Sequence, residues 1–260
     1  MKTSVSFALL LMLALPAVHA ETPEEKGLAI SKETDIRGNG YTDSKYDAVL
    51  ILKNAQGEES VREFSMKTFE VQGDGDKELG VFHKPADVKG TAVLTFSHGL
   101  KPDDQWLFLP ELKRVKRISS VNKSGPFVGS EFAFEDIASW ELKKYQYRYL
   151  RDETLDGIDC FVVENIPVYE YSGYSKLVEW VDKSNYQPVK MEYYDRKNAL
   201  LKTSRLSEYK QYLGQFWRAH KIDMINHQNG KSTYLLRSNY QFKTGLKDSD
   251  FSESALKTVE

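Results

Sequence analysis

The sequence contains little cysteine and, after its first residues, no long apolar segment. Cys160 is the only cysteine among 260 residues, so no disulfide can form within one chain and packing alone must hold the core together. The one unbroken apolar run covers residues 7–15. This run is too short to span a bilayer, which requires about 20 apolar residues. No later segment approaches that length, so we predict no transmembrane segment in the mature chain.

The sequence also lacks an excess of either charge. Lys and Arg together number 36, Asp and Glu number 38, and the formal net charge is −2 at pH 7. Charged residues make up 28% of the chain and are interspersed, which is typical of an ordinary solvated surface and not of a polyanion-binding one. We therefore predict that nucleic acid is not a partner.

Motifs of common exported hydrolases are absent or incomplete. Residues 120–123 read Ser-Val-Asn-Lys and residues 243–245 read Lys-Thr-Gly, which match two of the three motifs of serine β-lactamases, but the third motif, Ser-Asp-Asn, does not occur. The Gly-x-Ser-x-Gly nucleophile motif is also missing. We therefore predict that the protein is not an enzyme and has no catalytic residue.

Acidic residues and histidines lack the spacing of metal sites. Asp74, Asp76 and Glu78 alternate as they would at the start of a calcium loop, but Leu79 occupies the position where such a loop requires glycine. The histidines show neither the H-x-H nor the H-E-x-x-H spacing of zinc sites. We therefore predict no metal and no cofactor.

The N-terminus has the pattern of a secretory signal peptide. Lys2 precedes the apolar run, and a Val-x-Ala cleavage site ends at Ala20. We predict cleavage after Ala20, so that residues 1–20 are the signal peptide and residues 21–260 form a single periplasmic domain. Because Cys160 lies far from the cleavage site, the mature chain should not be a lipoprotein.

Alternation of apolar and polar residues dominates the mature chain. Thr22 precedes Pro23 as an N-cap and predicts a helix that ends near Arg37. From Ser44 onward, short runs of period two are separated by polar turns, which favours an antiparallel sheet over βαβ units. After a first hairpin that turns at residues 55–58, strands are predicted at residues 78–84, 91–97, 104–109, 113–119, 144–152, 159–166, 175–182, 188–195, 199–210, 216–225 and 231–243. Short helices are predicted at residues 134–140 and 246–256.

Residues 104–140 carry bulky apolar side chains where a simple sheet would have polar turns. Residues 104–109 and 113–119 are predicted to form a hairpin whose first strand is apolar on both faces, so that each face must be covered. Phe127 and Val128 follow in a loop between two glycines, and a surface loop would be polar there. We predict that this loop folds inward over an apolar cavity and acts as its lid.

The same segment resembles a known protein family. The strand Asp-x-Trp-Leu-Phe-Leu-Pro, the basic strand Arg-Val-x-Arg-Ile-Ser, the loop Lys-Ser-Gly-x-Phe-x-Gly-Ser and the segment Phe-x-Phe-Glu-Asp-Ile are similar to the outer-membrane lipoprotein-sorting proteins related to LolA and LolB. The resemblance implies a mainly β fold, in which a curved antiparallel sheet forms an incomplete, half-open β-barrel closed by short helices around a lipid-sized cavity. It also implies an association with efflux pumps of the resistance-nodulation-division (RND) type.

These features predict a periplasmic carrier or chaperone that binds a lipid, lipoprotein acyl chains or a similar hydrophobic ligand during envelope trafficking. The alternative is an accessory or adaptor subunit of an RND-type inner-membrane transporter, without a ligand of its own. The predicted cavity and lid residues are Trp106, Phe108, Phe127, Val128, Phe132, Phe134, Ile137 and Trp140. The basic residues predicted to contact a lipid head group or an acidic partner are Arg114, Lys116 and Arg117.

Overall fold

The computed structural model describes residues 20–257, which form one sheet of thirteen strands and two α-helices. The predicted signal peptide, apart from Ala20, lies outside the described residues. The helices are α1 (Pro23–Gly38) and α2 (Phe134–Ile137). The strands are β1 (Asp43–Lys53), β2 (Glu59–Phe69), β3 (Lys77–Lys84), β4 (Ala92–Phe96), β5 (Asp104–Leu109), β6 (Arg114–Ile118), β7 (Tyr145–Leu155), β8 (Ile158–Pro167), β9 (Tyr174–Asp182), β10 (Pro188–Asp195), β11 (Leu200–Tyr212), β12 (Phe216–Asn226) and β13 (Ser232–Phe242).

All neighbouring strands are antiparallel, and their order is β6-β5-β4-β3-β2-β1-β13-β12-β11-β10-β9-β8-β7. The first and last strands are therefore neighbours in the middle of the sheet, and β6 and β7 are its edges. Because β6 and β7 do not pair with each other, the curved sheet is not closed. The chain passes from one edge to the other through residues 119–144, which we name the crossing segment. The predicted mainly β, incomplete-barrel fold is confirmed.

The strands follow the predicted pattern closely because alternation and turn residues are local signals. The turn between β7 and β8 is one example, since Asp156 and Gly157 both have positive φ, at 52° and 84°. Two-residue hairpins of this type require that conformation. Among residues 20–257, no helix is both long enough and apolar enough to cross a membrane.

Helix α1 packs against β7 at one end of the sheet. The Thr22 side chain accepts a hydrogen bond from the Glu25 backbone, and the Glu25 side chain accepts one from the Thr22 backbone, which is a capping box. Gly27 faces β7, where a Cβ would lie 2.7 Å from the backbone nitrogen of Tyr149. Glycine therefore permits the close approach of helix and strand. The predicted helix ending near Arg37 is confirmed.

The concave face of the sheet carries the main apolar core. Leu50, Phe64 and Phe82 are buried there beneath the crossing segment. The convex face of β3 to β6 carries a second cluster, which the C-terminal residues Phe251 and Leu256 cover. The two clusters lie on opposite sides of the same strands.

Strand β5 contributes side chains to both clusters. Leu107 packs in the concave core, whereas Trp106 and Phe108 pack in the convex cluster. The prediction that both faces of this strand are covered is confirmed.

The predicted helix at residues 246–256 is wrong. Two separate 3-10 turns occupy this segment, and Phe251 directly after the first has a non-helical backbone, with φ of −115° and ψ of 80°. Phe251 and Leu256 are both buried against the convex cluster. Residues five apart do not share one face of an α-helix, so a continuous helix could not bury both side chains.

Helix α2 is shorter than the predicted helix at residues 134–140. It ends at Ile137, and Ala138 already has an extended backbone with ψ of 150°. The N–H of Ser139 donates to the Ser97 hydroxyl at the end of β4 instead of continuing the helix. The crossing segment is thereby attached to the sheet directly after its helical turn.

Candidate functional site

The crossing segment fills the middle of the concave face with aromatic side chains. Phe127 is 1% exposed. Its ring centroid lies 5.9 Å from that of Phe82 and 5.6 Å from that of Phe134. Val128 has a φ of 47°, in the left-handed region that is unfavourable for a β-branched residue. The predicted inward folding of this loop is confirmed.

Asp136 attaches the crossing segment to the far half of the sheet. Its carboxylate accepts hydrogen bonds from the Tyr174 hydroxyl at 2.7 Å and from the N–H of Ala133 at 2.6 Å. The Lys202 ammonium group lies 2.5 Å from the same carboxylate, and both side chains are 4% exposed. Loss of either partner would leave a buried charge without compensation, which is strongly destabilising.

The neighbouring Glu135 contacts the loop between β8 and β9. Its carboxylate accepts hydrogen bonds from the N–H of Gly173 at 2.9 Å and from the Tyr169 hydroxyl at 3.2 Å. A Cβ at Gly173 would lie only 2.6 Å from the Cβ of Ser124, so glycine is required at this contact. Burial, together with the charge of Asp136, raises the pKa of Glu135 to about 7.

Asp103 joins the two ends of the crossing segment. Its carboxylate lies 3.0 Å from the ammonium group of Lys123 and 2.6 Å from that of Lys144, and all three side chains are 5–6% exposed. Lys123 is near the start of the segment, and Lys144 is its last residue. Burial lowers the pKa of Lys123. One carboxylate therefore contacts two buried lysines at once.

A chamber of about 230 Å³, the inner chamber, lies between the crossing segment and strands β9 to β13. Its wall is mostly apolar and aromatic, and includes Phe132, Ile137, Trp140, Leu177, Met191, Leu206 and Ile222. The charged residues in its wall are Asp103, Glu135, Asp136, Lys144 and Arg237.

A larger outer cavity of about 630 Å³ adjoins the inner chamber, since Ser139, Trp140, Pro188 and Met191 line both. It lies between the end of α1 and the loop that follows β2. Carboxylates dominate its charged lining, which consists of Asp35, Glu70, Asp74, Asp76, Glu141, Glu179, Lys143 and Arg218.

Burial raises the pKa values of several acids in the outer cavity. It raises the pKa of Asp76 to about 6 and the pKa values of Glu141 and Glu179 to about 7. Glu141 and Glu179 are therefore about half protonated at neutral pH. An apolar molecule passes a partly neutral lining more easily than it would pass a fully charged lining. Within residues 20–257, no group of three or more His, Cys, Asp or Glu residues is arranged to hold a metal ion.

Solved structures with this fold identify the family. A structure from Vibrio parahaemolyticus, described as an outer membrane lipoprotein-sorting protein domain, is 55% identical with a TM-score of 0.88, and the match covers 90% of this chain and 99% of that one. A DUF1329 family protein from Desulfovibrio piger is 31% identical with a TM-score of 0.87 over the same shares of the two chains. The chain belongs to the DUF1329 family.

Other comparisons of the DUF1329 protein agree with its fold. A LolA superfamily protein from Nitrosomonas europaea is 24% identical with a TM-score of 0.72, and the match covers 88% of this chain and 98% of that one. A family model described as "Uncharacterized protein" matches residues 74–258. No curated protein matches the chain. The predicted relationship to LolA-like lipoprotein-sorting proteins is confirmed.

Three of the eight predicted cavity residues of the DUF1329 protein line the inner chamber. They are Phe132, Ile137 and Trp140. Trp140 also lines the outer cavity, is 37% exposed, and stacks on Tyr145 with 4.0 Å between ring centroids. Trp140 therefore lies where the two spaces meet.

The other five predicted residues lie outside both cavity linings. Phe127, Val128 and Phe134 pack in the concave core next to the inner chamber. Trp106 and Phe108 lie across the sheet in the convex cluster. Alternation placed these two on one face of β5, but the other face is equally apolar, so the sequence did not show which face is concave. A direct contact of any of the eight with a ligand remains a prediction.

The three basic residues of β6 are exposed but do not form one patch. Alternation along the strand places Arg114 and Lys116 on one face and Arg117 on the other. The Arg117 guanidinium group contacts the carboxylate of Asp104. A single head group or partner surface can therefore contact the first two together, but not all three.

Sequence reasoning did not identify the charged residues that hold the crossing segment. Lys202 shares a strand face with Ser204 and Leu206, and all of this face points to the core. A lysine at a core-facing strand position is rarely buried without a partner. The core-facing position of Lys202 therefore indicated that it has a buried partner. Asp136 could not be assigned as that partner, because it is 66 residues away in the sequence.

Proposed function

We propose that this DUF1329 protein is a periplasmic carrier that holds the apolar part of a lipid, of lipoprotein acyl chains or of a similar molecule. The observation that carries the proposal is the inner chamber, a mostly apolar space beneath a segment that connects the two open edges of the sheet. Family membership supports the proposal, because the relative from Vibrio parahaemolyticus is described as a lipoprotein-sorting domain.

The available space and the expected binding energy are sufficient for such a ligand. The outer cavity, of about 630 Å³, is in the range of small-molecule sites, and the inner chamber adjoins it. Burial of an acyl chain contributes about 0.8 kcal/mol per methylene. About ten buried methylenes therefore contribute about 8 kcal/mol before ordering costs, which corresponds to a micromolar dissociation constant.

The periplasmic location is part of the same proposal. It is supported by the signal-peptide pattern that ends at Ala20. N-terminal sequencing of the exported protein should begin at Glu21. Recovery of a chain that retains Met1, or of an acylated cysteine, would contradict the proposed processing.

An adaptor subunit of an RND-type transporter is the alternative, with the apolar part of the crossing segment as its docking surface. Phe127 and Phe132 are 1% and 4% exposed, so these apolar side chains face inward and are not presented to a partner. We therefore favour the carrier, which delivers its ligand to or receives it from such a transporter. A stable transporter complex in which the protein holds no ligand would support the adaptor instead.

Uptake of an environment-sensitive apolar dye tests the carrier proposal. Trp140→Ala should weaken dye binding, because Trp140 lines both cavities, and should leave the far-UV circular dichroism spectrum β-rich. Trp106→Ala is the matched control, since Trp106 lies on the convex face and should not affect uptake. Absence of dye binding by the wild type, or equal effects of the two substitutions, would contradict a ligand site on the concave face.

A further inference from the structure

Arg237 is a cation on the concave face that borders the inner chamber. It lies on β13, two residues after the core residue Leu235 and on the same face of the strand. Its pairing neighbour on β1 is Ala48. The small side chain of Ala48 leaves room for the guanidinium group over the sheet. An arginine is therefore accommodated at a position that alternation assigns to the core.

Its charge has no ion-pair partner in the described part of the chain. The Nε atom is buried and donates to no acceptor. The guanidinium carbon lies 5.3 Å from the ring centroid of Tyr46, and the phenol of Tyr240 is adjacent. Burial raises the pKa of the Tyr46 phenol, which is therefore neutral at physiological pH. It lies beside the cation without compensating its charge.

The other charged side chains of the chamber do have partners. The Asp103 carboxylate contacts Lys144, the Asp136 carboxylate contacts Lys202, and the Glu135 carboxylate accepts a hydrogen bond from the Gly173 N–H. Among the described residues, Arg237 is therefore the cation of the chamber wall that forms no ion pair, and its buried Nε–H group has no acceptor. A charge that is partly shielded from water is costly unless it is paired, so an anion in the chamber would be stabilised there.

Glu78 does not neutralise Arg237. Its Oε2 atom is also buried and lacks a donor, and no ion pair joins it to the guanidinium group. Burial, together with the charge of Asp76, raises the pKa of Glu78 to about 8. Glu78 is therefore mostly protonated and uncharged at neutral pH.

We propose that Arg237 binds the carboxylate of a single-chain, fatty-acid-like amphiphile, whose apolar chain passes Met191 and Pro188 toward Trp140. All three residues line both the inner chamber and the outer cavity. The inference rests on the proposed carrier function and specifies its ligand class. The head group is innermost, and the chain extends toward the outer cavity. The planar guanidinium group presents paired N–H donors that match the two oxygens of a carboxylate.

The small volume of the chamber favours a carboxylate over a phospholipid head group. The chamber measures about 230 Å³, and the glycerol and second acyl chain of a phospholipid need more room than a carboxylate at the end of one chain. Among the described residues, Arg237 is the cation of the chamber wall that contacts no carboxylate. A single-chain carboxylate therefore matches the chamber.

Displacement of a bound apolar dye by palmitate, methyl palmitate and hexadecanol tests the inference, since the three share one chain. Wild-type protein should bind palmitate about tenfold or more tightly than the ester and the alcohol, because only the acid forms a charge-assisted hydrogen bond with Arg237. Arg237→Met should remove this preference while binding of the ester is retained. Arg205→Met, on the convex face where the side chain is 51% exposed, should keep the preference.

The wild-type comparison decides the outcome even if Arg237→Met fails to fold. Equal affinities of wild-type protein for the acid and the ester would overturn the carboxylate site and leave the carrier function intact. Absence of binding of all three would overturn the carrier function itself. Glu78→Gln is the second variant, and it should keep or increase the preference for palmitate. Loss of the preference in that variant would show that Glu78 and Arg237 act as a structural pair, which would contradict the proposal.

Discussion

Buried charges, more than apolar contacts, determine where the crossing segment lies. The aromatic side chains of Phe127 and Phe134 would be stable in any apolar space of similar shape, because the hydrophobic effect is not directional. Ion pairs and hydrogen bonds require particular partners at particular distances. Asp103 meets this requirement at both ends of the segment, and Asp136 meets it in the middle.

Asp103→Asn should lower the free energy of unfolding by about 3–5 kcal/mol, because it leaves the buried ammonium groups of Lys123 and Lys144 without compensation. Asp152→Asn is the control, since its pair with Lys183 has side chains that are 52% and 31% exposed. That change should cost at most about 1 kcal/mol. Urea denaturation of the wild type and of both variants measures these differences in the free energy of unfolding. Similar midpoints for the two variants would show that the buried triad does not stabilise the fold.

Which residues form the site was only partly predictable from the sequence. The glycines around Phe127 and Val128 are a local signal, and the loop folds inward as they indicate. The face of Trp106 was not predictable, because both faces of its strand are apolar. Arg237 was not predictable as a chamber residue either, since a basic residue in a strand near the C-terminus is ordinarily exposed.

At the scale of elements, the crossing segment is both a connection and part of the core. It fills the concave face with Phe127, and a ligand that entered beyond the inner chamber would compete with this side chain for one apolar space. Its residues 125 and 129 are glycines, which permit backbone rearrangement. If the loop moved, the ligand would replace Phe127 in this apolar space. The buried apolar area would therefore change little.

The double substitution Phe127→Ser and Val128→Ser should speed ligand release. An added lipid should bind with equal or higher apparent affinity, because there is less apolar surface for it to displace. Ligand off-rates and thermal stability should be compared with those of Val121→Ser, a 52% exposed position in the same segment. Global unfolding of the double variant would show that the pair is ordinary core, and unchanged exchange would show that the loop does not control access.

Elements were predictable where their signals are local. The capping box of α1 and the alternation of the strands act within a few residues, and these elements form where they are expected. The predicted C-terminal helix failed because Phe251 and Leu256 are both buried against the sheet, and residues five apart do not share one face of an α-helix. The pairing of β1 with β13 depends on contacts across almost the whole chain, which a single sequence does not reveal.

At the scale of the whole molecule, the concave side collects acids that hold their protons more tightly than exposed acids do. Burial is the largest cause in each case. It raises the pKa of Glu78 from 4.5 to about 8, and the pKa values of Glu135, Glu141 and Glu179 from 4.5 to about 7. The pKa of Asp76 rises from 3.8 to about 6. Between about pH 4.5 and pH 8, the folded chain therefore binds more protons than the unfolded chain.

Stability should consequently fall as the pH rises through this window, because unfolding releases protons there. We expect a higher melting temperature at about pH 5.5 than at about pH 8 in differential scanning calorimetry. His220 opposes the trend at the acidic end, since burial lowers its pKa below 6.5 and its protonation favours unfolding. Glu78→Gln should make the curve flatter. A melting temperature that increased steadily from pH 5.5 to pH 8 would contradict the buried, protonated acids.

Mass spectrometry of an organic extract tests the proposed carrier function most directly. The protein should be purified from its native source without detergent and compared with another protein purified from that source in the same way. We expect a long-chain amphiphile in the extract, in an amount comparable to that of the protein, with a free carboxylate if Arg237 holds the head group. An extract with no more lipid than the comparison protein gives would contradict the assignment of the inner chamber to a hydrophobic ligand.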